Sequence, residues 1–272
     1  DKGGLIGETL TTNSKFDARG NVLSQTVENP DEAGALITKS VITNSGFDSR
    51  GNAAKTERKN YDEKGLLMDT QVTNNLKFDS RGNVLSQTVE TFDDAGELID
   101  RREVENSGFT SRGNAGLTTT KTFDKDGNLI DKRVTANLKF DARGNVLEQT
   151  VKAYDDKDKL LDIAEIKNSE YDFRGNPGRT VRSNFDAEGV LIDKQDTMNT
   201  KFDKRGNVLE QSVATYDDKG VLLGTTLIKN SDYNNRGNAG KVERENLDFE
   251  GKLIDRQVVE NTSFDKRGNV LT

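Results

Sequence analysis

The side chains of this chain that could do chemistry are carboxylates and guanidiniums, set in short phrases that recur along its 272 residues. With no Cys and no His, thiol nucleophiles, imidazole bases, disulfides and nearly all zinc sites are excluded. Closely spaced carboxylates remain. Asp124 and Asp126 flank Lys125 ahead of Gly127, and Asp155, Asp156 and Asp158 crowd one four-residue stretch. Hard oxygen donors in such clusters suit Ca²⁺, so these five residues are the metal candidates. The fit to a calcium loop is incomplete, because the glycine falls at the fourth position rather than the sixth and no Glu follows at the twelfth. The plainer reading is solvated turn residues that keep an edge soluble. Acid pairs of this kind also serve glycoside hydrolysis. A catalytic site copied in every unit is a poor design, however, and the expectation is a protein that is not an enzyme and carries no cofactor beyond that Ca²⁺ candidate.

The second phrase is Asp17-Ala18-Arg19-Gly20-Asn21. Its Arg-Gly-Asn returns at Arg50-Gly51, Arg81-Gly82, Arg112-Gly113, Arg143-Gly144, Arg174-Gly175, Arg205-Gly206, Arg236-Gly237 and Arg267-Gly268, each followed by Asn. A row of guanidiniums can present itself to acidic polymers or to the acidic edge of a neighbouring chain. It can equally serve its own turn, with Arg19 pairing with Asp17 and Asn13 or Asn21 bonding exposed backbone. Because every unit keeps these residues, the structural role is the expected one. The aromatics before the turns could stack on sugars, but they are expected to form a thin core.

The elements that hold these phrases follow from the spacing. An aromatic precedes each Arg-Gly-Asn phrase at Phe16, Phe47, Phe78, Phe109, Phe140, Tyr171, Phe202, Tyr233 and Phe264, a constant step of 31 residues. Between them runs a second series, Tyr61, Phe92, Phe123, Tyr154, Phe185 and Tyr216, in the form aromatic-Asp-x-x-Gly-x-Leu-Ile. Asp at the head of a type I turn accepts its amides, and Gly three places on enters the left-handed region that closes a hairpin with a bulge. Thr110 and Asn234 replace that Asp, and both can still accept; the glycine fails once, at Asp158. Between turns, apolar residues fall on alternate positions, as in Ile130, Val134, Ala136, Leu138 and Phe140, interrupted by Lys132. That is the period of strands rather than helices. Bulky strands such as Val22, Leu23 and Val27 alternate with small or polar ones such as Ala53, Ala54 and Arg58, Ala115, Gly116 and Thr120, or Pro177, Gly178 and Arg182, giving a 62-residue super-repeat, and Thr11, Thr73, Thr135 and Thr197 precede the bulky ones. Large residues at Ile42, Val104, Ile166 and Ile228 precede the small strands, which suggests cross-strand compensation.

The fold class expected is all-β: a tandem array of antiparallel hairpins, elongated as a ribbon or solenoid-like, filling residues 1–272 as one continuous array of about 18 strands. A parallel β-solenoid is the alternative, but it would stack like-charged Arg side chains only about 4.8 Å apart. The chain begins within one turn and stops just past another, so a segment of a longer array is expected, self-associating through open β edges or repeat ends.

Composition narrows the partners. Only 31% of residues are hydrophobic against 32% charged, and mean hydropathy is −0.81, so no thick core is expected. A net charge of −7 argues against nucleic acid, and no apolar run reaches the roughly 20 residues of a membrane span. The units "FDARGNVL", "YDEKGLLM" and "FDKDGNLI" resemble the YD repeats of bacterial RHS proteins and teneurins. That resemblance implies long spiralling β-hairpin sheets. The Gly-Arg-Leu continuation of the usual pattern is absent here, and the spacing alternates 14 and 17. The function expected is structural: an extracellular or cell-surface fibre or stalk presenting a periodic surface. The alternatives are an adhesin for surface glycans or a host surface, or the shell portion of an RHS-like toxin system.

Overall fold

A computed structural model of the protein describes residues 9–30, 34–234, 237–263 and 270. Among these are seventeen strands and no helix. The chain divides into two compact units, Asp1–Arg133 and Val134–Thr272. In the first lie β1 (Leu10–Phe16), β2 (Val22–Pro30), β3 (Leu36–Ser45), β4 (Lys55–Tyr61), β5 (Leu67–Phe78), β6 (Val84–Phe92), β7 (Leu98–Ser107) and β8 (Leu117–Asp124). Strand β9 (Leu129–Phe140) carries the division. The second unit holds β10 (Val146–Tyr154), β11 (Leu160–Ser169), β12 (Arg179–Asp186), β13 (Leu191–Phe202), β14 (Val208–Tyr216), β15 (Leu222–Ser231), β16 (Lys241–Asp248) and β17 (Leu253–Glu260).

Within each unit every strand pairs antiparallel with the next in sequence, for example Val41 opposite Lys59 and Ala164 opposite Asn184. The array is therefore a hairpin meander and not a parallel solenoid. Successive connections fall at alternate ends of the strands, which places Arg-Gly-Asn turns along one edge and the acidic Asp-x-x-Gly turns along the other.

The core is thin, as the composition dictates. Among the described residues, the buried apolar side chains are Ile42, Val89 and Ala164. In the first unit Ile42 and Val89 face one side of the sheet, together with short polar chains: Ser40 donates to Asn60 at 2.8 Å, and Asn60 donates to Asp69 at 2.7 Å. Asn184 and Asp193 repeat that last bond at 2.6 Å. In a single layer, cross-strand polar pairs replace much of what a second layer would contribute.

The smallest residues of the super-repeat lie ahead of its strands and have a cause of their own. Ala53, Ala54, Ala115, Gly116, Pro177 and Gly178 precede their strands and lie in loops. There they face a left-handed residue across the loop: Gly46, Gly108, Glu170 and Asp232 have φ of 66°, 65°, 57° and 54°. The amide of Ala54 donates to the Gly46 carbonyl at 3.2 Å, and that of Gly178 to Glu170 at 3.0 Å. A Cβ on Gly116 would sit 2.7 Å from the Gly108 carbonyl oxygen. Close backbone approach fixes the size of these loop residues, while the cross-strand swing lies farther along the strands, where Val27 and Val89 stand opposite Thr11 and Thr73, and Ile42, Val104 and Ile166 opposite Arg58, Thr120 and Arg182.

Candidate functional site

The Arg-Gly-Asn turns begin as a local device. In the first, the Gly20 amide donates to the Asp17 carbonyl at 3.1 Å and the Asp17 amide to that of Asn21 at 2.9 Å. Gly20 has φ of 85°, so this is the type I turn with a glycine bulge that Asp-x-x-Gly encodes. The Asp17 carboxylate accepts the amides of Arg19 and Asn21, each at 2.8 Å, and the Asn21 side-chain amide at 2.8 Å. The bond from the Asn21 side chain holds this carboxyl below its ordinary value. Asp48 and Asp79 are lowered by the same arrangement. Where Thr110 or Asn234 heads the turn, its side chain still accepts the amide of Asn114 at 3.1 Å or of Asn238 at 3.0 Å.

The turns are also fastened to one another. Within each unit an Asn leans onto the glycine of the following Arg-Gly-Asn turn: a Cβ on Gly51 would lie 2.7 Å from Asn21 Oδ1, and one on Gly113 2.9 Å from Asn83 Oδ1. Cβ atoms on Gly175, Gly206 and Gly237 would lie 2.9–3.1 Å from the side chains of Asn145, Asn176 and Asn207. A second tie uses the Asn that stands three residues before each aromatic. Asn44 donates to the Val22 carbonyl at 3.1 Å, Asn75 to Ala53 at 2.9 Å and Asn199 to Pro177 at 3.0 Å. Where the aromatic is Tyr171 or Tyr233, its hydroxyl donates to the carbonyl of Val146 or Val208, which Asn168 or Asn230 also reaches. Burial raises both phenols above their ordinary value.

The arginines divide by the 62-residue period. Arg81 donates to the carbonyls of Thr110 at 2.9 Å and Phe109 at 3.2 Å, in the next turn of the row. Arg143 does the same with Asp172 at 2.8 Å and Tyr171 at 3.2 Å; Arg19 reaches Phe47 at 3.2 Å and Arg205 reaches Asn234 at 3.5 Å. The contact of Arg19 with its own Asp17, expected from sequence, is a long 4.0 Å. In the intervening turns, Arg50 and Arg112 are exposed, and the guanidinium of Arg174 lies 5.1 Å from the Phe173 ring centre. Arg236, Arg267 and Gly268 lie outside the described residues.

The acidic edge shares the turn but lacks the fastening. No atom comes within 4 Å of a Cβ built on Gly65, Gly96, Gly127, Gly189 or Gly220. That openness explains how Asp158 can occupy the glycine position at φ 64°. An Asp there bears the conformational cost of the left-handed region. The metal candidates are drawn into the same turn chemistry. Asp124 accepts the amides of Asp126 and Asn128 at 2.9 and 2.8 Å and the Asn128 side chain at 2.9 Å, the bond that lowers its carboxyl. Asp155 accepts the amides of Lys157 and Lys159. Asp126 is exposed and lies 3.4 Å from Lys125, and Asp156 projects from its turn into solvent. Among the described residues no three acidic side chains converge as metal ligands would. Asp31 and Glu32 fall outside those residues.

No family model matches the chain, and no curated protein matches it. Among solved structures it is similar to the crystal structure of TcdB2-TccC3, at 14% identity and a TM-score of 0.19, over 93% of this chain and 17% of that one. It is similar also to that of TcdB2-TccC3-Cdc42, at 13% identity with the same score and coverage. The chain thus spans about a sixth of the length of those it resembles, and a score of 0.19 defines no shared chain path.

Proposed function

We propose that this chain is a structural repeat module, a non-catalytic spacer that holds distance and presents a periodic edge. The observation behind the reading is the fastening of the Arg-Gly-Asn row. Its Asn and Gly side by side, its Asn-to-carbonyl ties and alternate arginines bind each turn to the next, so residues with chemical potential are engaged by the chain's own backbone. Repetition of such a tie gives stability that grows unit by unit, as nearest-neighbour contacts do in repeat arrays. Ca²⁺ has no part in this reading, since the carboxylates of Asp124 and Asp155 are committed to turn amides. A location outside the cell or on its surface, in a fibre or stalk, follows from the resemblance of the hairpin unit to YD repeats.

Arrays built with increasing numbers of 62-residue repeats test the reading. Measured by small-angle scattering or negative-stain imaging, the long dimension is expected to grow by about 19 Å for each added repeat, four strands at the spacing of a sheet. A dimension that stops growing while mass increases would sink the spacer reading.

A further inference from the structure

Two hairpin tips break the polar pattern of their rows. At the first corner position of the Arg-Gly-Asn turns stand Ala18, Ser49, Ser80, Ser111, Ala142 and Lys204, but Phe173 in one. The same position of the acidic turns holds Glu63, Asp94, Lys125, Asp156, Ala187 and Asp218, but Phe249 in one. Phe173 is 83% exposed and Phe249 65%. Neither ring contributes to a core, and the turns need no aromatic there, since all the others form without one. Both lie in the second unit, on opposite edges of its strands: Phe173 between β11 and β12, Phe249 between β16 and β17.

Their surroundings carry opposite charge. The Phe173 ring has the Arg174 guanidinium 5.1 Å from its centre, and exposed Lys204 occupies the neighbouring tip. The carboxylate of Asp172 in that turn is engaged by the amides of Arg174 and Asn176. Phe249 is followed by exposed Glu250, and exposed Asp218 occupies the tip beside it. One tip therefore offers an aromatic face with a free cation, and the other an aromatic face with free carboxylates.

The geometry points to a second copy of this chain as the occupant: the Phe173–Arg174 tip of one molecule meets the Phe249–Glu250 tip of another, ring against ring and guanidinium against carboxylate. Aromatic and Arg side chains are the groups that dominate small interfaces. The contact joins different surfaces of the two copies, so it leaves a free tip on each and propagates sideways rather than closing. It builds on the reading of the chain as a structural array, yet repeat-number scaling of length stands or falls independently of it.

Sedimentation velocity on the whole chain over a range of concentrations tests the contact. Reversible association that weakens at high salt is expected. Phe173→Ser and Phe249→Asp, residues already found at equivalent positions of the array, should each weaken it at least about tenfold while leaving the circular dichroism spectrum unchanged. Arg174→Glu and Glu250→Arg should each weaken it, and the chain carrying both should regain it. A chain that stays monomeric throughout, including one that binds an acidic glycan at Phe173 as a monomer, overturns the proposal. So does association that ignores both tips, as pairing through strand edges would.

Discussion

Replacing one glycine in each turn row separates the two reasons for having glycine at all. Gly51 and Gly65 sit in successive turns of the first unit, with φ of 86° and 77°. An alanine at either must adopt the left-handed conformation, at about 1–2 kcal/mol. Gly65→Ala meets nothing further, since its Cβ would have no neighbour within 4 Å. Gly51→Ala drives its Cβ to 2.7 Å from Asn21 Oδ1. Asn21 cannot swing away freely, because its side-chain amide is held by Asp17 at 2.8 Å. Breaking that charge-assisted bond adds about 2 kcal/mol. The expected losses are about 3–4 kcal/mol for Gly51→Ala and about 1–2 for Gly65→Ala. Urea denaturation measures the totals, and amide exchange at each turn locates them, which matters because repeat arrays can open locally. Truncating the neighbour supplies the control: Asn21→Ala should cost much less in the Gly51→Ala chain than in the parent. Equal losses at the two glycines, or strict additivity of the pair at Asn21 and Gly51, would refute the turn-to-turn contact.

Four further outcomes follow from the same geometry. Asn238 Nδ2 is buried without a partner in a turn headed by Asn234 rather than Asp, so Asn234→Asp should stabilise by about 1–2 kcal/mol in thermal or urea unfolding. Arg81→Ala should destabilise by about 1 kcal/mol through loss of its bonds to Thr110 and Phe109, while Arg50→Ala should change stability by under about 0.5. Arg179 and Asp196 form a two-pronged ion pair, with 2.9 Å between Nε and Oδ1, where the preceding super-repeat has Leu117 and Val134. Either single change, Arg179→Leu or Asp196→Val, should destabilise, and the double change should recover most of the loss, as a double-mutant cycle in denaturant would record. Acid should act turn by turn. The Asp79 carboxyl lies below its ordinary 3.8 when folded, so its contribution is present above that value and lost as pH falls through the lowered one. Amides of residues 79–83 should lose protection there, and those of 110–114, headed by Thr110, should not.

What could be read from sequence is what is settled within a few residues. The Asp-x-x-Gly turn closes through bonds between positions two to four apart, so its type, its glycine and the tolerance of Thr110 and Asn234 follow from local chemistry alone. The period-two pattern of Ile130, Val134 and Ala136 likewise marks strands whatever surrounds them. Longer contacts were not legible. Arg81 bonds to carbonyls 28 and 29 residues away, and Asn21 rests on a glycine 30 residues on. Such partners exist only once two turns of one edge are brought together across the strands between them. The one sequence sign of that approach is an asymmetry: the Arg-Gly-Asn row never loses its glycine, whereas the acidic row tolerates Asp158.

Strand direction belongs to the same class. A 31-residue period is compatible with parallel coils or antiparallel hairpins, because periodicity fixes which residues are equivalent and not how they are joined in space. The sequence by itself determined the turns, the strands and the thinness of the core. Only the tertiary structure decided that one edge is a fastened row and the other an open one, since that difference depends on how closely successive turns approach, a distance set by the sheet and not by any single repeat.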